Sequence, residues 1–133
     1  MELTPDNFEP LDFANLINTK LCVLVKFSAS WCGPCKSKEF KENYNRLKTK
    51  YASQSSIIKF IELDIDEFED LIQDKEYYDL DVESIPYFKL AYKGSWAKNY
   101  KGTTCIGDID NALHQIVKKY HHDKEQASNE TEN

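Results

Sequence analysis

"KFSASWCGPCKSK", residues Lys26 to Lys38, is the stretch on which the reading of this chain turns. It holds Cys32 and Cys35 two residues apart, with Gly33-Pro34 between them and Trp31 directly in front. Two chemistries use that spacing, a redox-active dithiol and half of a zinc site. A zinc site needs a second pair of ligands. Cys22, Cys105 and the three histidines offer none at a suitable spacing, so no metal is expected.

The flanks are informative. Upstream, "LCVLVKF" is continuous, β-branched and apolar, which predicts a strand covered on both faces, with Lys26 as an intruder. Downstream, Phe40, Tyr44, Leu47 and Tyr51 recur at i, i+4, i+7 and i+11 and form one face of a long helix. "SIIKFIELDI" reads as a second buried strand, and "DEFEDLIQDKEYYDL" as a helix with Phe68, Leu71 and Ile72 inward. "TPDNFEPLDFANLINTK" opens with helix-starting residues and spaces Phe13, Leu16 and Ile17 helically. "YFKLAYKG" and "SWAKNYKG" predict two strands joined at Lys93-Gly94. A last helix carries Ile109, Leu113, Ile116, Val117 and Tyr120 on one face, and Lys118 and Lys119 suit its negative end. The expected architecture is α/β, a mixed sheet with helices on both faces. Residues 1–120 form the domain and 121–133 a polar, disordered tail.

At 133 residues and 41% hydrophobic content the chain is long enough for one real core without staples. The net charge of −6, with no basic stripe, argues against nucleic acid as a partner. No apolar run is long enough to span a membrane, and the N-terminal stretch lacks the pattern of a secretory signal. A reducing intracellular setting, the cytoplasm, is the expectation. There a close cysteine pair is more often catalytic than structural.

A strand ending in W-C-G-P-C and running into a helix resembles the thioredoxin family, and the likeness extends over about residues 3 to 120. It implies the three-layer α/β/α thioredoxin fold. It implies that Cys32 is the nucleophile, at a helix N-terminus where free N–H groups and the dipole favour the thiolate. Cys35, one turn further in, resolves the mixed disulfide, and Pro34 is tolerated at the helix start. "ESIPYF" resembles the family's cis-proline loop, which makes Pro86 the cis residue and the backbone of Ile85 a strand edge for substrate. Gly94 and Gly102, each eight residues after the preceding marker, resemble the closing hairpin and the loop flanking the groove. Trp31, Gly33, Pro34, Ile85, Pro86 and Gly102 are thus the substrate-binding set.

The sequence also departs from that pattern. Many thioredoxins carry a buried aspartate where this chain has Lys26, and a lysine where it has Glu62. The expectation is a charge-exchanged Lys26–Glu62 pair behind the cysteines, with Glu62 as proton acceptor for Cys35. The ammonium would favour both thiolates and a more oxidising couple. Tyr87 stands where threonine is frequent, which predicts a bulkier groove, and Lys89 interrupts an apolar strand and is expected to snorkel. Trp96 reads as packing, Cys22 as inert, and Cys105 as a thiol that could lie near the groove.

The resulting reading is an enzyme, a thiol–disulfide oxidoreductase that reduces protein disulfides by a Cys32–Cys35 cycle and binds no cofactor. Its partners are disulfide-containing proteins and an external reductant, thioredoxin reductase or the glutathione system. Two alternatives stand beside it: a more oxidising oxidase or isomerase on the same fold, and a peptide-binding module with little turnover.

Overall fold

The apolar run before the cysteines forms strand β1 (Cys22–Ser28), an inner strand of a sheet ordered β2-β1-β3-β4. The computed structural model describes residues 17–67 and 84–131. Within them, β2 (Ile58–Asp64) lies parallel to β1, while β3 (Tyr87–Tyr92) and β4 (Ser95–Lys101) are antiparallel. The parallel pair sets Lys26 opposite Glu62.

Side chains alternate across the sheet, so β1 feeds two cores. Val23, Val25 and Phe27 join Ile61, Leu63, Tyr87 and Ala91 on one face. Cys22 and Leu24 join Ile58, Phe88 and Leu90 on the other, under helices α1 (Lys38–Lys50) and α2 (Ile106–Thr131). Val23, Val25 and Phe27 are fully buried, so the first face is covered as completely as the second. The result is the three-layer α/β/α arrangement expected from the sequence.

Helix α1 presents Phe40, Tyr44 and Leu47 to the second core, with Tyr51 just past its end, as their spacing requires. Burying each of these side chains contributes about 1.5–3 kcal/mol. Tyr44 and Phe88 lie 5.8 Å apart between ring centroids, and Phe40 meets Phe88 edge-on at 6.2 Å. From α2, Ile109 and Leu113 complete that core. Tyr51 ties the helices together: its hydroxyl donates to the Asp110 carboxylate at 2.6 Å, and Lys50 bridges the same carboxylate at 2.9 Å.

The β3–β4 hairpin turns through Lys93 and Gly94, both at positive φ (55° and 80°), the geometry of a type I′ turn. At the other end of the chain the structure departs from the expected irregular tail. Helix α2 continues without a break to Thr131, so the boundary expected at residue 120 falls inside a helix. Residues 121–127 (HHDKEQA) include Lys, Glu, Gln and Ala, strong helix formers, and His121 is held to Gln54 at 3.2 Å. The helices expected over 4–20 and 66–80 lie outside the described residues except at 17–20 and 66–67, which are turns and bends.

Candidate active site

Where β1 ends, the chain turns back on itself. The Cys32 N–H donates to the Ala29 carbonyl at 3.1 Å, and a single 3-10 turn (Pro34–Lys36) follows with Gly33 at its N-cap. Cys32 and Cys35 are joined in a disulfide, their Cα atoms 5.3 Å apart. Both are buried, at 3% and 5% exposure, among Ala29, Ile65 and Ile85. Gly33 and Pro34 are exposed, and Trp31 projects beside them at 64% exposure. This large aromatic is thus open to solvent beside the buried disulfide and is not a core residue.

The cysteines do not sit on the long helix itself. Ser37 is extended (ψ 139°), and its hydroxyl accepts from the Phe40 N–H at 3.2 Å, so α1 starts at Lys38 with Ser37 as its own N-cap. The physical reason is that serine's short hydroxyl competes for helix-terminal N–H groups and favours caps over helix interiors. The N–H donor that does reach Cys32 is local. The Cys35 N–H points at the Cys32 sulfur at 3.1 Å.

The second half of the site comes from the loop before β3. The Ile85–Pro86 bond is cis, Pro86 is buried, and Ile85 packs on the disulfide cluster. The Pro86 carbonyl accepts from the Gly102 N–H at 2.9 Å, which fastens the end of β4 to this loop. Gly102 has φ +86°, and a Cβ there would meet nothing within 4 Å. Glycine is needed for the backbone conformation, not for space.

Lys26 and Glu62 meet on the α1 side of the sheet. The Nζ–Oε1 distance is 3.5 Å, with side-chain exposures of 12% and 30%. Lys48, which sequence reasoning missed, reaches the same oxygen at 3.7 Å. Its signal was available, since Lys48 lies four residues after Tyr44 and so shares its helix face. The Tyr44 ring has the Lys26 ammonium 4.5 Å and the Lys48 ammonium 5.2 Å from its centroid. Burial pulls the Lys26 pKa down against the opposing pull of Glu62. Burial, helped by the Glu62 carboxylate, pushes the Tyr44 hydroxyl up, and that hydroxyl has no hydrogen-bond partner among the described residues.

Of the other sequence expectations, those for Tyr87, Lys89 and Cys105 are corrected, while Cys22 is buried as expected. Tyr87 does not enlarge the groove; it is 5% exposed and faces inward, its ring 6.4 Å from Phe27. β-strand alternation decides this, because Tyr87 shares the inner face with Lys89 and Ala91. Lys89 does not snorkel to solvent but is buried, its ammonium 5.3 Å from the Trp96 ring centroid. Cys22 is fully buried, its thiol pushed up to about 12 by burial. Cys105 is buried too, its thiol raised chiefly by burial, and its Sγ donates to the Gly102 carbonyl at 3.4 Å. Among the described residues no helix is long and apolar enough to cross a membrane.

Comparison with known proteins gives a consistent result. The family model for thioredoxin matches residues 2–115. Thioredoxin 1 of Plasmodium falciparum is 34% identical over 110 residues, which cover 82% of this chain and 89% of that protein. The oxidised structure of mitochondrial thioredoxin 3 from Saccharomyces cerevisiae superposes with a TM-score of 0.62 at 26% identity, covering 90% of this chain and 93% of that one. Thioredoxin from Trypanosoma brucei brucei shares the fold, with a TM-score of 0.68 at 20% identity over 89% of this chain and 90% of its own.

Proposed function

The chain belongs to the thioredoxin family and is a thiol–disulfide oxidoreductase, and from the geometry of its site we propose how it reduces protein disulfides and which residues do so. The observation that carries this is the buried Cys32–Cys35 bridge with the Cys35 N–H aimed at the Cys32 sulfur. An N–H donor at that sulfur favours its thiolate in the reduced enzyme.

The cycle begins with Cys32 as thiolate and Cys35 as thiol. The Cys32 sulfur attacks one sulfur of the substrate disulfide; a new S–S bond forms, the old one breaks, and the departing substrate sulfur takes up a proton. Cys35 then loses its proton and attacks Cys32, which releases the second substrate sulfur as a thiol. Two electrons have moved from enzyme to substrate, and the enzyme is left as the disulfide described above. An external reductant returns it to the dithiol, and thioredoxin reductase or the glutathione system fits that role. A reducing compartment, the cytoplasm, suits both this cycle and the free thiols of Cys22 and Cys105.

Substrate docks across Trp31, Gly33 and Pro34 on one side and Ile85, Pro86 and Gly102 on the other. The Pro86–Gly102 hydrogen bond and the contact of Ile85 with the disulfide cluster support that grouping. Glu62, paired with Lys26, accepts the Cys35 proton in place of the aspartate common in the family. Lys26 favours the thiolates and so a more oxidising couple than a typical thioredoxin.

Insulin reduction tests the reading. Wild-type chain with a thiol donor should precipitate the insulin B chain, Cys35→Ser should reduce turnover to background, and a mixed disulfide should accumulate on Cys32. Turnover that survives Cys35→Ser would refute the two-cysteine cycle. Equilibration with glutathione reads the direction. A potential near about −270 mV marks a reductase of thioredoxin type, and one near about −180 mV an isomerase. Lys26→Met should move the potential to more negative values, and an unchanged potential would remove Lys26 from the machinery.

A further inference from the structure

We propose that Cys105 is a positioning residue for substrate binding: its thiol pins Gly102, and through Gly102 the cis-proline loop on which a substrate strand docks. The inference rests on the groove assignment made above.

The argument starts from what Cys105 is not doing. Its carbonyl accepts the Ile109 N–H at 3.0 Å, the first bond of α2, so Cys105 holds the helix's N-cap position. A residue chosen for capping turns a side-chain oxygen toward the N–H groups of the first turn. The Cys105 sulfur instead reaches back to the Gly102 carbonyl at 3.4 Å as a donor. Its burial keeps the thiol in the protonated form that can donate.

Gly102 needs that hold. At φ +86° it occupies a region that only glycine visits freely, and no neighbour lies within 4 Å of where a Cβ would stand. Glycine has no side chain to anchor it, and two hydrogen bonds hold its backbone: the N–H donates to the Pro86 carbonyl at 2.9 Å, and the C=O accepts from the Cys105 thiol. The line continues through the cis Ile85–Pro86 bond to Ile85, which packs on Cys32 and Cys35. The N-terminus of α2 is thereby tied to the redox centre in four steps, and Cys105 is the first.

The test compares Cys105→Ala, which removes the donor, with Cys105→Ser, which restores one. Each is assayed on insulin and on hydroxyethyl disulfide, a substrate too small to use a strand edge. With Cys105→Ala the KM for insulin should rise about threefold to tenfold, the range produced by one lost hydrogen bond, while kcat and the rate on hydroxyethyl disulfide hold. Cys105→Ser should recover most of the KM. The Gly102 amide proton should exchange faster with solvent in the alanine variant and near the wild-type rate in the serine variant. An unchanged insulin KM with unchanged Gly102 exchange would overturn the proposal. So would an equal loss on both substrates, which would mark Cys105 as general packing. If the wild-type chain failed to reduce insulin at all, the reductase reading would fall, and Gly102 exchange would still decide the pinning.

Discussion

The half-buried Lys26–Glu62 pair carries an asymmetry that stability measurements can read. Lys26 is the deeper partner, at 12% side-chain exposure against 30% for Glu62, and among the described residues only Glu62 of the two has a second ionic partner, Lys48 at 3.7 Å. Lys26→Met therefore removes a desolvated charge and leaves Glu62 still paired. The gain from ending that desolvation and the loss of a partly solvated pair are each about 1 kcal/mol, so the variant should lie within about 1 kcal/mol of wild type, on the stable side. Glu62→Gln does the reverse. It leaves the ammonium buried against the Phe40 and Tyr44 rings, with no carboxylate. Breaking a fully buried pair costs about 3–5 kcal/mol; the exposure of Glu62 and the cation–π contacts reduce this to about 2 kcal/mol. Urea unfolding at pH 7, read as the shift in midpoint at constant slope, measures both. A Lys26→Met variant that loses more than Glu62→Gln would refute the reasoning. The pH dependence gives a second check. Because the folded state lowers the Lys26 pKa from 10.5, the unfolded chain binds more protons between the lowered value and 10.5, and this group makes stability rise with pH there. Raised tyrosine hydroxyls such as Tyr44 act in the opposite sense above pH 10, so the informative quantity is wild type minus Lys26→Met. That difference should grow as pH climbs through the lowered Lys26 value.

Two further outcomes follow from the frame of the molecule. Burial works to raise the Asp110 carboxyl, but the Tyr51 hydroxyl and the Lys50 ammonium outweigh it and hold it below its ordinary 3.8. Its contribution is therefore complete above that value and is lost as pH falls through the lower folded one; Asp110→Asn should cost about 1–2 kcal/mol at pH 7 and flatten the acid limb of an unfolding series. Gly94 and Gly102 both need positive φ, which costs alanine about 1–2 kcal/mol, but only at Gly94 would a Cβ also run into the Asn18 side chain. Thermal unfolding should accordingly rank Gly94→Ala below Gly102→Ala, and the opposite order would show that the Asn18 contact yields freely.

What the sequence disclosed depended on how local the signal was. The β1 run, the four-residue beat of Phe40, Tyr44, Leu47 and Tyr51, and the Lys93-Gly94 turn each declare themselves within a few residues, and each took the form expected. The break before α1 was harder to see. The sequence points to one helix begun at Pro34, and only the Phe40 N–H on the Ser37 hydroxyl in the folded chain shows that a new one starts after Ser37. The inward turn of Tyr87 and the burial of Cys105 depend on which face of the sheet and which end of α2 they meet, contacts made by chain far away in sequence. Lys48 was legible in principle, but its importance appears only when β2 brings Glu62 beneath it.

Why should a strand this apolar carry a lysine at position 26? Its neighbours supply a physical answer. On the inner face, Val23, Val25 and Phe27 are fully buried among apolar residues, and the lysine that β3 adds to that face, Lys89, lies against the Trp96 ring. Position 26 lies on the opposite face near the strand's end, where the parallel register sets it beside Glu62 and α1 lays two aromatic rings against its ammonium. Each of these features lowers the cost of burying a cation, and the surrounding layers are otherwise close-packed hydrocarbon and aromatic side chains. Apolar substitution at this one position should thus be tolerated by the fold. The reduction potential of Lys26→Met then separates any part the ammonium has in the Cys32–Cys35 couple from its part in stability.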